Sequence, residues 1–548
     1  MAKINMKEEI NPFADILFTN GKVITVNPVD EIVECVAVKG NRIMFSGKLE
    51  DAKNIIGSET KAIDLNGRTL MPGFIDSHMH FQVMGMLMGP IINVSYQYAK
   101  SICDIQQLIR KKAKEKKPGE WIVCAGYDNN KLKERRHPTI KELDEAAPDN
   151  PIRVGRCDGH MGVCNSLALK ISEITRETKP EEEVIVENGK LTGLLKERTF
   201  MNVAKHFDFT EEDIISALRL SNDLMLRNGI TTIHDAGLEG PGGMRFVEKA
   251  SRNRDIKVRL NVMISDLSGT ENNAELLGSF VRAGITTGFG NEYFSVGPFK
   301  IITDGSSSGP TCVMKEPFSH DPDAEGFLLC TPERAKKILT KAHIAGNQIT
   351  GHAQGDYCIE FLIDIIESIM IEYPRKDSRP RIEHAGMMNP DLIQRMKKNG
   401  IIPTPNPGFI ELNGSDYNRY YGERTEYIYP LKSYLDEGIV AAIGSDAPVN
   451  QVNPMLALYG AVTRKDSKTG ELVGEGQRIG ILDAIRMYTY NGAYVSFEEN
   501  KKGSIEVGKS ADLVVLSKDI LSVESEEIKN TVVDLTMIDG EIVYQRNT

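Results

Sequence analysis

One stretch decides the interpretation of this chain: Met71-Pro-Gly-Phe-Ile-Asp-Ser-His78-Met-His80-Phe81. An apolar run ends in Asp-Ser, and two histidines follow with one residue between them. If the run is a β-strand, its two-residue period sends His78 and His80 to the same side, so both imidazoles can reach one point. Imidazole is a common ligand of zinc-like ions, so the stretch predicts a metal site at a strand end. The alternative is two surface histidines that lie close together by chance.

Composition is that of a globular protein with more than one structural unit. The chain has 548 residues, with 41% hydrophobic and 26% charged residues, and this length exceeds one ordinary hydrophobic core. Its net charge is −11. The basic clusters Lys111–Lys117 and Lys131–Arg136 are short and interrupted, which is typical of solvated faces. Nucleic acid is therefore not an expected partner.

Targeting signals are not evident in the sequence. The first residues lack the apolar core of a signal peptide, and no run of 18 apolar residues occurs. The eight cysteines form no C-x-x-C pair and are expected to be reduced, mostly structural thiols. We expect a cytoplasmic protein with no membrane partner.

The middle of the chain alternates short apolar runs with helical patterns. This alternation predicts an α/β fold of the (β/α)8 TIM-barrel type, which needs eight strands with crossover helices. The eight predicted strands are Leu70–Asp76, Ile230–Asp235, Val258–Ile264, Phe294–Ile302, Gln348–His352, Arg379–His384, Ile401–Pro403 and Ile439–Ser445.

Both ends of the chain are rich in short strand patterns and turns. Each end is too small to bury a core alone, so they are predicted to pair into one discontinuous β-sandwich of residues 1–70 and 498–548. The barrel is then assigned to 71–497. About 150 residues separate its first two strands, which predicts a subdomain inserted over residues 81–226.

Catalytic groups of barrel enzymes lie at the carboxyl ends of the strands. His234 and Asp235 end the second run but are held in reserve, because one ion rarely needs so many ligands. The candidates from the other strand ends are His78, His80, Lys300, His352, His384 and Asp446.

Lys300 is unusual among these candidates because it is a cation. One interpretation is a lysine whose amine extends from a strand end to solvent. An unpaired ammonium beside metal-binding histidines would be repelled by the metal. A lysine with a lowered pKa can instead react with carbon dioxide to give a carbamate that bridges two metals, and we adopt this hypothesis.

Further motifs connect these residues to a known family. They are Gly126-Tyr-Asp-Asn-Asn, Asp158-Gly-His160, Asn228-Gly-Ile-Thr-Thr-Ile-His-Asp, Asp304-Gly-Ser, Arg381-Ile-Glu-His-Ala and Gly444-Ser-Asp446. Together with the candidate ligands, they make the sequence resemble the amidohydrolase superfamily, and within it the YtcJ-like branch (amidohydrolase 3) that includes N-substituted formamide deformylase. The similarity covers nearly the whole chain.

The resemblance implies the same barrel, sandwich and insertion, and a site with two divalent metal ions, expected to be zinc. It implies that His78 and His80 bind one ion, that His352 and His384 bind the other, and that carboxylated Lys300 bridges them. Asp446 completes the site.

The expected reaction is hydrolysis of a C–N bond, of amide or N-formyl type, in a small organic substrate. A metal-bridging hydroxide would attack the carbonyl, and Asp446 would carry the proton to the leaving amine. The alternative for Asp446 is a helix N-cap, since Ser-Asp-Ala-Pro is also a capping sequence.

Several other residues are weaker candidates. His160, on the insertion, is predicted either to hydrogen-bond the substrate or oxyanion or to hold a turn, and both alternatives stay open. Met161-Gly162 departs from the bulkier residues common in the family, which leaves the substrate open. Pocket positions with a structural role favoured for each are Tyr127, Asp128, Asp304, Asn406 and Phe409.

Two other functions compete with C–N hydrolysis. A mononuclear deaminase of the same superfamily usually has a glutamate in a His-x-x-Glu turn, whereas this chain has His352-Ala-Gln-Gly and Asp356 one position late. A non-catalytic binding or assembly protein is disfavoured because every candidate ligand is present. Substrate identity and assembly, as monomer or homodimer, are left open.

Overall fold

The computed structural model describes residues 12–157, 159, 161–237, 243–265 and 270–547. Strands dominate the N-terminal part, where the alternating apolar residues face a small core. They are β1 (Ile16–Thr19), β2 (Lys22–Ile24), β3 (Ile32–Val33), β4 (Cys35–Lys39), β5 (Arg42–Gly47), β6 (Lys61–Asp64) and β7 (Thr69–Pro72).

The first barrel strand and the inserted segment follow. Their elements are β8 (Phe74–Met79), α1 (Phe81–Met88), β9 (Ile92–Asn93), α2 (Ile102–Ala113), β10 (Ile122–Tyr127), α3 (Ile140–Ala146), β11 (Ile152–Arg156), β12 (Met161–Cys164), α4 (Ser166–Ile171), β13 (Val184–Glu187), β14 (Lys190–Lys196), α5 (Glu197–Asn202) and α6 (Glu211–Arg227).

The remaining barrel elements alternate strand and helix as far as α12. They are β15 (Ile230–Asp235), α7 (Gly243–Arg252), β16 (Arg259–Ile264), α8 (Thr270–Ala283), β17 (Phe294–Ile302), α9 (Pro332–Ile344), β18 (Ile349–Ala353), α10 (Asp356–Glu372), β19 (Arg381–His384), α11 (Pro390–Asn399), β20 (Ile402–Thr404), α12 (Gly408–Tyr421), α13 (Leu431–Asp436), α14 (Pro454–Thr463), α15 (Ile481–Met487) and α16 (Tyr490–Val495).

The chain ends in β21 (Leu513–Leu516), β22 (Val533–Ile538) and β23 (Glu541–Gln545). Short 3-10 helices occupy Asp51–Ile55, Glu181–Glu183, Val203–His206, Gly422–Tyr427, Glu475–Gln477 and Ser525–Asn530. Within the described ranges, no helix is long and apolar enough to cross a bilayer.

The barrel strands pair in parallel in the order β8–β15–β16–β17–β18–β19–β20. The predicted eighth strand, 439–445, is not a regular strand, yet its backbone closes the barrel on both sides. Ser77 N–H donates to Ile443 O (3.1 Å), and Gly444 N–H donates to Pro405 O (3.2 Å). The predicted (β/α)8 class is therefore confirmed, with an irregular eighth position.

The first predicted barrel strand, Leu70–Asp76, was wrong in its extent. The structure divides it at Gly73, so that β7 pairs with β2 and β21 and β8 pairs with β15. A Cβ atom on Gly73 would lie 2.3 Å from Thr231 Cγ2, so only glycine lets the chain pass this point from one sheet to the other.

The two ends of the chain form a sandwich. One sheet has the order β5–β4–β1–β6, and the other, β23–β22–β21–β7–β2–β3, contains strands from both ends. Phe18, Val36, Leu70, Leu513 and Leu535 share the core of this sandwich. The predicted discontinuous sandwich is confirmed, whereas the numerical domain bounds stay predictions.

The insertion has a sheet of its own, in the order β13–β14–β12–β11–β10–β9. Ile105 and Val154 belong to a core inside this subdomain. Phe81 of α1 and Leu218 of α6 lie instead in the main barrel core. The subdomain therefore emerges between two helices that pack on the barrel, just after the strand that carries His78.

Candidate metal centre

Predicted ligands from separate strands converge at the top of the barrel. His78, His384 and Asp446 each offer one ligand atom, and these atoms lie within 4.8 Å of one another. The ring of His384 lies 4.5 Å from that of His78 and 4.6 Å from that of His352, measured between centroids. Asp446 Oδ1 lies 3.4 Å from His80 Nε2. The structure thus brings together His78 of β8, His80 just after that strand, and the histidines of β18 and β19 with the aspartate of the eighth position.

Lys300 reaches the same point from β17. Its Nζ lies 3.4 Å from His78 Nε2, and the residue is only 2% exposed. The alternative of an amine that extends into solvent is therefore contradicted, because the amine points into the cluster of candidate ligands.

Two of the candidate ligands have a left-handed backbone conformation. His384 has a φ of 69° and Asp446 a φ of 60°, both in the region that residues other than glycine rarely adopt. Such positions cost about 1–3 kcal/mol each and cluster at functional sites. Asp446 is held by its backbone N–H, which donates to His78 O at 2.7 Å.

Two predicted pocket residues support histidines from behind. Asn406 Oδ1 lies 2.6 Å from His384 Nδ1, and its Nδ2 donates to Gly444 O. Asp304 Oδ1 lies 3.2 Å from His352 Nδ1, although the angle falls outside hydrogen-bond geometry. Because the Nδ1 atoms face these supports, the Nε2 atoms are the ones available to a metal.

Two supporting carboxylates were not anticipated from the sequence. Asp76 accepts the backbone N–H groups of His78 (3.3 Å) and Ser445 (2.9 Å), so it couples the first strand to the eighth position. Glu383 lies 2.5 Å from His78 Nδ1. Both occur in motifs that drew attention only for their histidines, and adjacency to a ligand was the available signal.

Electrostatics put the cluster in the form that binds cations. Burial lowers the pKa of His78 well below its ordinary value, and the charge of Lys300 lowers it further. Burial also lowers the pKa of His384, to about 4. Burial raises the pKa of Asp446, but hydrogen bonding to His80 and the charges of His384 and His78 outweigh it and hold that pKa below its ordinary range. At neutral pH the two histidines are neutral and the aspartate is ionised, which suits divalent metal ions.

Exposure shows from which side a substrate can approach. The side chains of His80 and His352 are 15% and 16% exposed, whereas His78 and His384 are buried. Access therefore lies over the two outer histidines.

Comparison with known proteins places the chain in a family. Residues 61–544 match the Amidohydrolase family. The chain belongs to this family. This confirms the resemblance to amidohydrolases inferred from the motifs, and the protein is a hydrolase of the amidohydrolase superfamily.

Relatives of this amidohydrolase match it nearly end to end. YtcJ of Bacillus subtilis (strain 168) is 28% identical, over 97% of this chain and 99% of its own. An N-substituted formamide deformylase of Arthrobacter pascens is 26% identical, over 97% and 98%. Among solved structures, an uncharacterized metal-dependent hydrolase from Pyrococcus horikoshii OT3 is similar with a TM-score of 0.76 and 25% identity, over 93% of this chain and 99% of that one.

Three other site candidates of the amidohydrolase make contacts with residues outside the cluster of candidate ligands. Tyr127 is buried in the inserted subdomain, with its hydroxyl 2.7 Å from His137 Nδ1. Asp128 accepts the backbone N–H of Asn130. Phe409 stacks on Tyr429. His160 lies outside the described residues.

Proposed function

We propose that this amidohydrolase cleaves a C–N bond, of amide or N-formyl type, in a small organic molecule. The observation that carries the proposal is the convergence of His78, His384 and Asp446, with Lys300 Nζ 3.4 Å from His78 Nε2. The relative named N-substituted formamide deformylase supports the bond type. Two divalent ions, expected to be zinc, would polarise the carbonyl and lower the pKa of bound water to about 7.

The residues divide into two groups of ligands. His78 and His80 would hold one ion, and His352 and His384 the other. Lys300 would link them after its neutral amine attacks carbon dioxide, forming an N–C bond and releasing one proton to give a carbamate. This modification resolves a conflict, because an ammonium group buried beside the ligand nitrogens would repel a cation.

Asp446 is proposed to move the proton. As the oxygen of water attacks the carbonyl carbon, the carboxylate takes up the proton that water loses. Asp446 then returns it to the nitrogen while the C–N bond breaks, which gives a carboxylic acid or formate and a free amine. A depressed pKa keeps this carboxylate ionised before attack.

Substrate contacts remain part of the proposal. His160, Tyr127 and Asp128 on the insertion are proposed to act on the substrate side, together with Phe409. Asp304 and Asn406 act through His352 and His384, which they support.

Metal analysis combined with a hydrolysis screen tests this function. Purified protein is expected to contain about two zinc-like ions per chain and to release amines from some members of an N-formyl and N-acyl amine panel. A metal-free preparation with activity unchanged by chelator would contradict the proposal. One tightly held ion with ammonia release from nucleobases would favour the deaminase. Full metal loading with no turnover of amides, esters or lactams would favour a non-catalytic protein.

A further inference from the structure

A buried ion pair lies directly behind the first metal ligand. It joins Glu383 and Arg381 of β19, and it connects His78 on one side with His234 on the other. All four residues are buried, with no exposed surface. Glu383 contacts His78 at Nδ1, on the side of the ring away from Nε2, the nitrogen available to a metal. The role of these four residues therefore needs an explanation of its own.

Glu383 uses both carboxylate oxygens. Oε2 lies 2.5 Å from His78 Nδ1 and accepts from Arg381 Nη2 at 3.0 Å. Oε1 accepts from Thr350 Oγ1 at 2.7 Å and lies 2.9 Å from Arg381 Nε, in ion-pair contact outside hydrogen-bond geometry. The carboxylate is thus fixed from three sides.

Arg381 is anchored beyond the carboxylate. Nη2 also donates to the carbonyl of Ser77 (2.7 Å), and Nη1 lies 3.2 Å from His234 Nδ1. Because an arginine can only donate, His234 accepts at Nδ1 and is neutral. Burial and the charge of Arg381 lower the pKa of His234 well below its ordinary value, which agrees with this assignment.

The contacts of Glu383 determine which nitrogen of His78 carries the proton. Its two oxygens already face the N–H groups of Arg381 and the hydroxyl of Thr350, and an arginine can only donate, so Glu383 is paired as a carboxylate. A carboxylate can only accept, so the proton of His78 sits on Nδ1. The lone pair of His78 is then on Nε2, which faces Lys300 Nζ at 3.4 Å and Asp446 Oδ1 at 3.5 Å.

The backbone of His384 fits the same arrangement. Side chains alternate between the two faces of a regular strand, so a residue next to the inward-facing Glu383 would point away from the centre. His384 has a φ of 69°, and its ring nevertheless lies 4.5 Å from that of His78. Because of this backbone conformation, two consecutive residues of β19 both face the centre. Glu383 supports His78, and His384 is itself a candidate ligand.

We propose that Glu383 and Arg381 are positioning residues that hold His78 in its Nδ1–H form and strengthen Nε2 as a metal ligand. This inference rests on the proposed metal centre. Carboxylates behind ligating histidines fix the ring and raise its basicity, and their loss typically weakens metal binding 10–100-fold.

Metal binding by variants of the full chain tests the proposal. Co²⁺ affinity of metal-stripped protein is measured by competition with a chelator of known affinity. Glu383→Gln is expected to bind Co²⁺ about 10–100-fold more weakly than the wild type. Glu499→Gln is the matched control, because it makes the same change in a largely buried ion pair with Arg379, which precedes β19 and lies away from its carboxyl end. Its affinity is expected to stay near that of the wild type.

A double variant separates positioning from folding. Glu383→Gln leaves the charge of Arg381 without its buried counterion, so stability falls as well. E383Q/R381M removes both charges and is expected to regain thermal stability while Co²⁺ affinity stays low. Wild-type affinity in either variant would overturn the positioning role. Absence of Co²⁺ binding by the wild type would instead overturn the proposed metal centre itself.

Discussion

The backbone N–H of Asp446 donates a 2.7 Å hydrogen bond to the carbonyl of His78, which connects the proposed proton carrier to the main chain of a candidate metal ligand. The connection matters because the eighth barrel position has no regular strand to hold it. Asp446, whose φ is 60°, is instead connected to the first barrel strand by this hydrogen bond to His78.

Loss of the Lys300 amine is expected to release one or both metal ions. Lys300→Ala removes the group that the proposal converts into a bridging carbamate, so metal content per chain should fall with hydrolytic activity. Elemental analysis of dialysed protein measures it. Lys341→Ala, on the exposed face of α9, is the control. A Lys300→Ala variant with full metal content and normal turnover would rule out the bridging role.

Asp446→Asn is expected to lower kcat by about 10²–10⁴-fold, the usual contribution of general acid–base catalysis. The amide keeps the shape of the side chain but accepts no proton. Steady-state kinetics at saturating metal measure the effect once a substrate is found. Asp436→Asn, in an exposed pair with Lys432, should leave kcat unchanged. Equal rates for Asp446→Asn and wild type would exclude proton transfer by this residue.

A methyl group at Gly444 is expected to disturb His78. An added Cβ would lie 2.6 Å from His78 Cβ and 2.7 Å from His78 N, so the ligand strand must shift. Such overpacking costs about 1–3 kcal/mol, and metal affinity should fall with thermal stability. Gly309→Ala, where the nearest atom is 3.7 Å away, is the control in thermal unfolding and Co²⁺ titration. Unchanged affinity in Gly444→Ala would show that His78 tolerates displacement.

Arg259 is expected to hold the sandwich against the barrel. It lies on β16, is 2% exposed, and contacts Asp512 through Nε at 2.7 Å and Asp539 through Nη2 at 2.5 Å. Arg259→Met leaves a buried carboxylate without its counterion, which should cost about 3–5 kcal/mol in unfolding free energy. Lys53→Ala, in an exposed pair with Glu50, should change little. Chemical denaturation measures the unfolding free energy of both variants. An equal loss in the two would show that the buried Arg259 pair stabilises the fold no more than the exposed Lys53 pair.

The same pair predicts how stability depends on pH. Burial raises the pKa of Asp512, but Arg259 outweighs it and the folded pKa is lowered, while an unfolded aspartate has a pKa of about 3.9. On acidification the unfolded chain takes up the proton first, so this stabilisation is full above about pH 5 and declines below it. The difference in unfolding free energy between wild type and Asp512→Asn should therefore narrow below about pH 4. A difference that widens below about pH 4 would contradict the lowered pKa of Asp512 in the folded state.

Local pattern was sufficient for most barrel strands. Each predicted run from Ile230 onward overlaps an observed strand as far as Ile402–Thr404, because apolar runs bounded by turns and helices reflect burial on both faces of a parallel sheet. The division at Gly73 could not be predicted, since only the close approach of Thr231 shows why the chain changes sheets there. His160 and the domain bounds stay predictions.

By itself, the sequence determined which residue types follow the strand ends, and from these it predicted the candidate metal ligands, because strand periodicity and residue chemistry are local properties. Tertiary structure decided the rest of the centre. The carboxylate of Glu383 contacts His78, which is 305 positions away in the chain. Asp446 contacts His78 only because the closed barrel places the eighth position beside the first strand. Such partners are set by which strands become neighbours, and no short stretch of sequence encodes that adjacency.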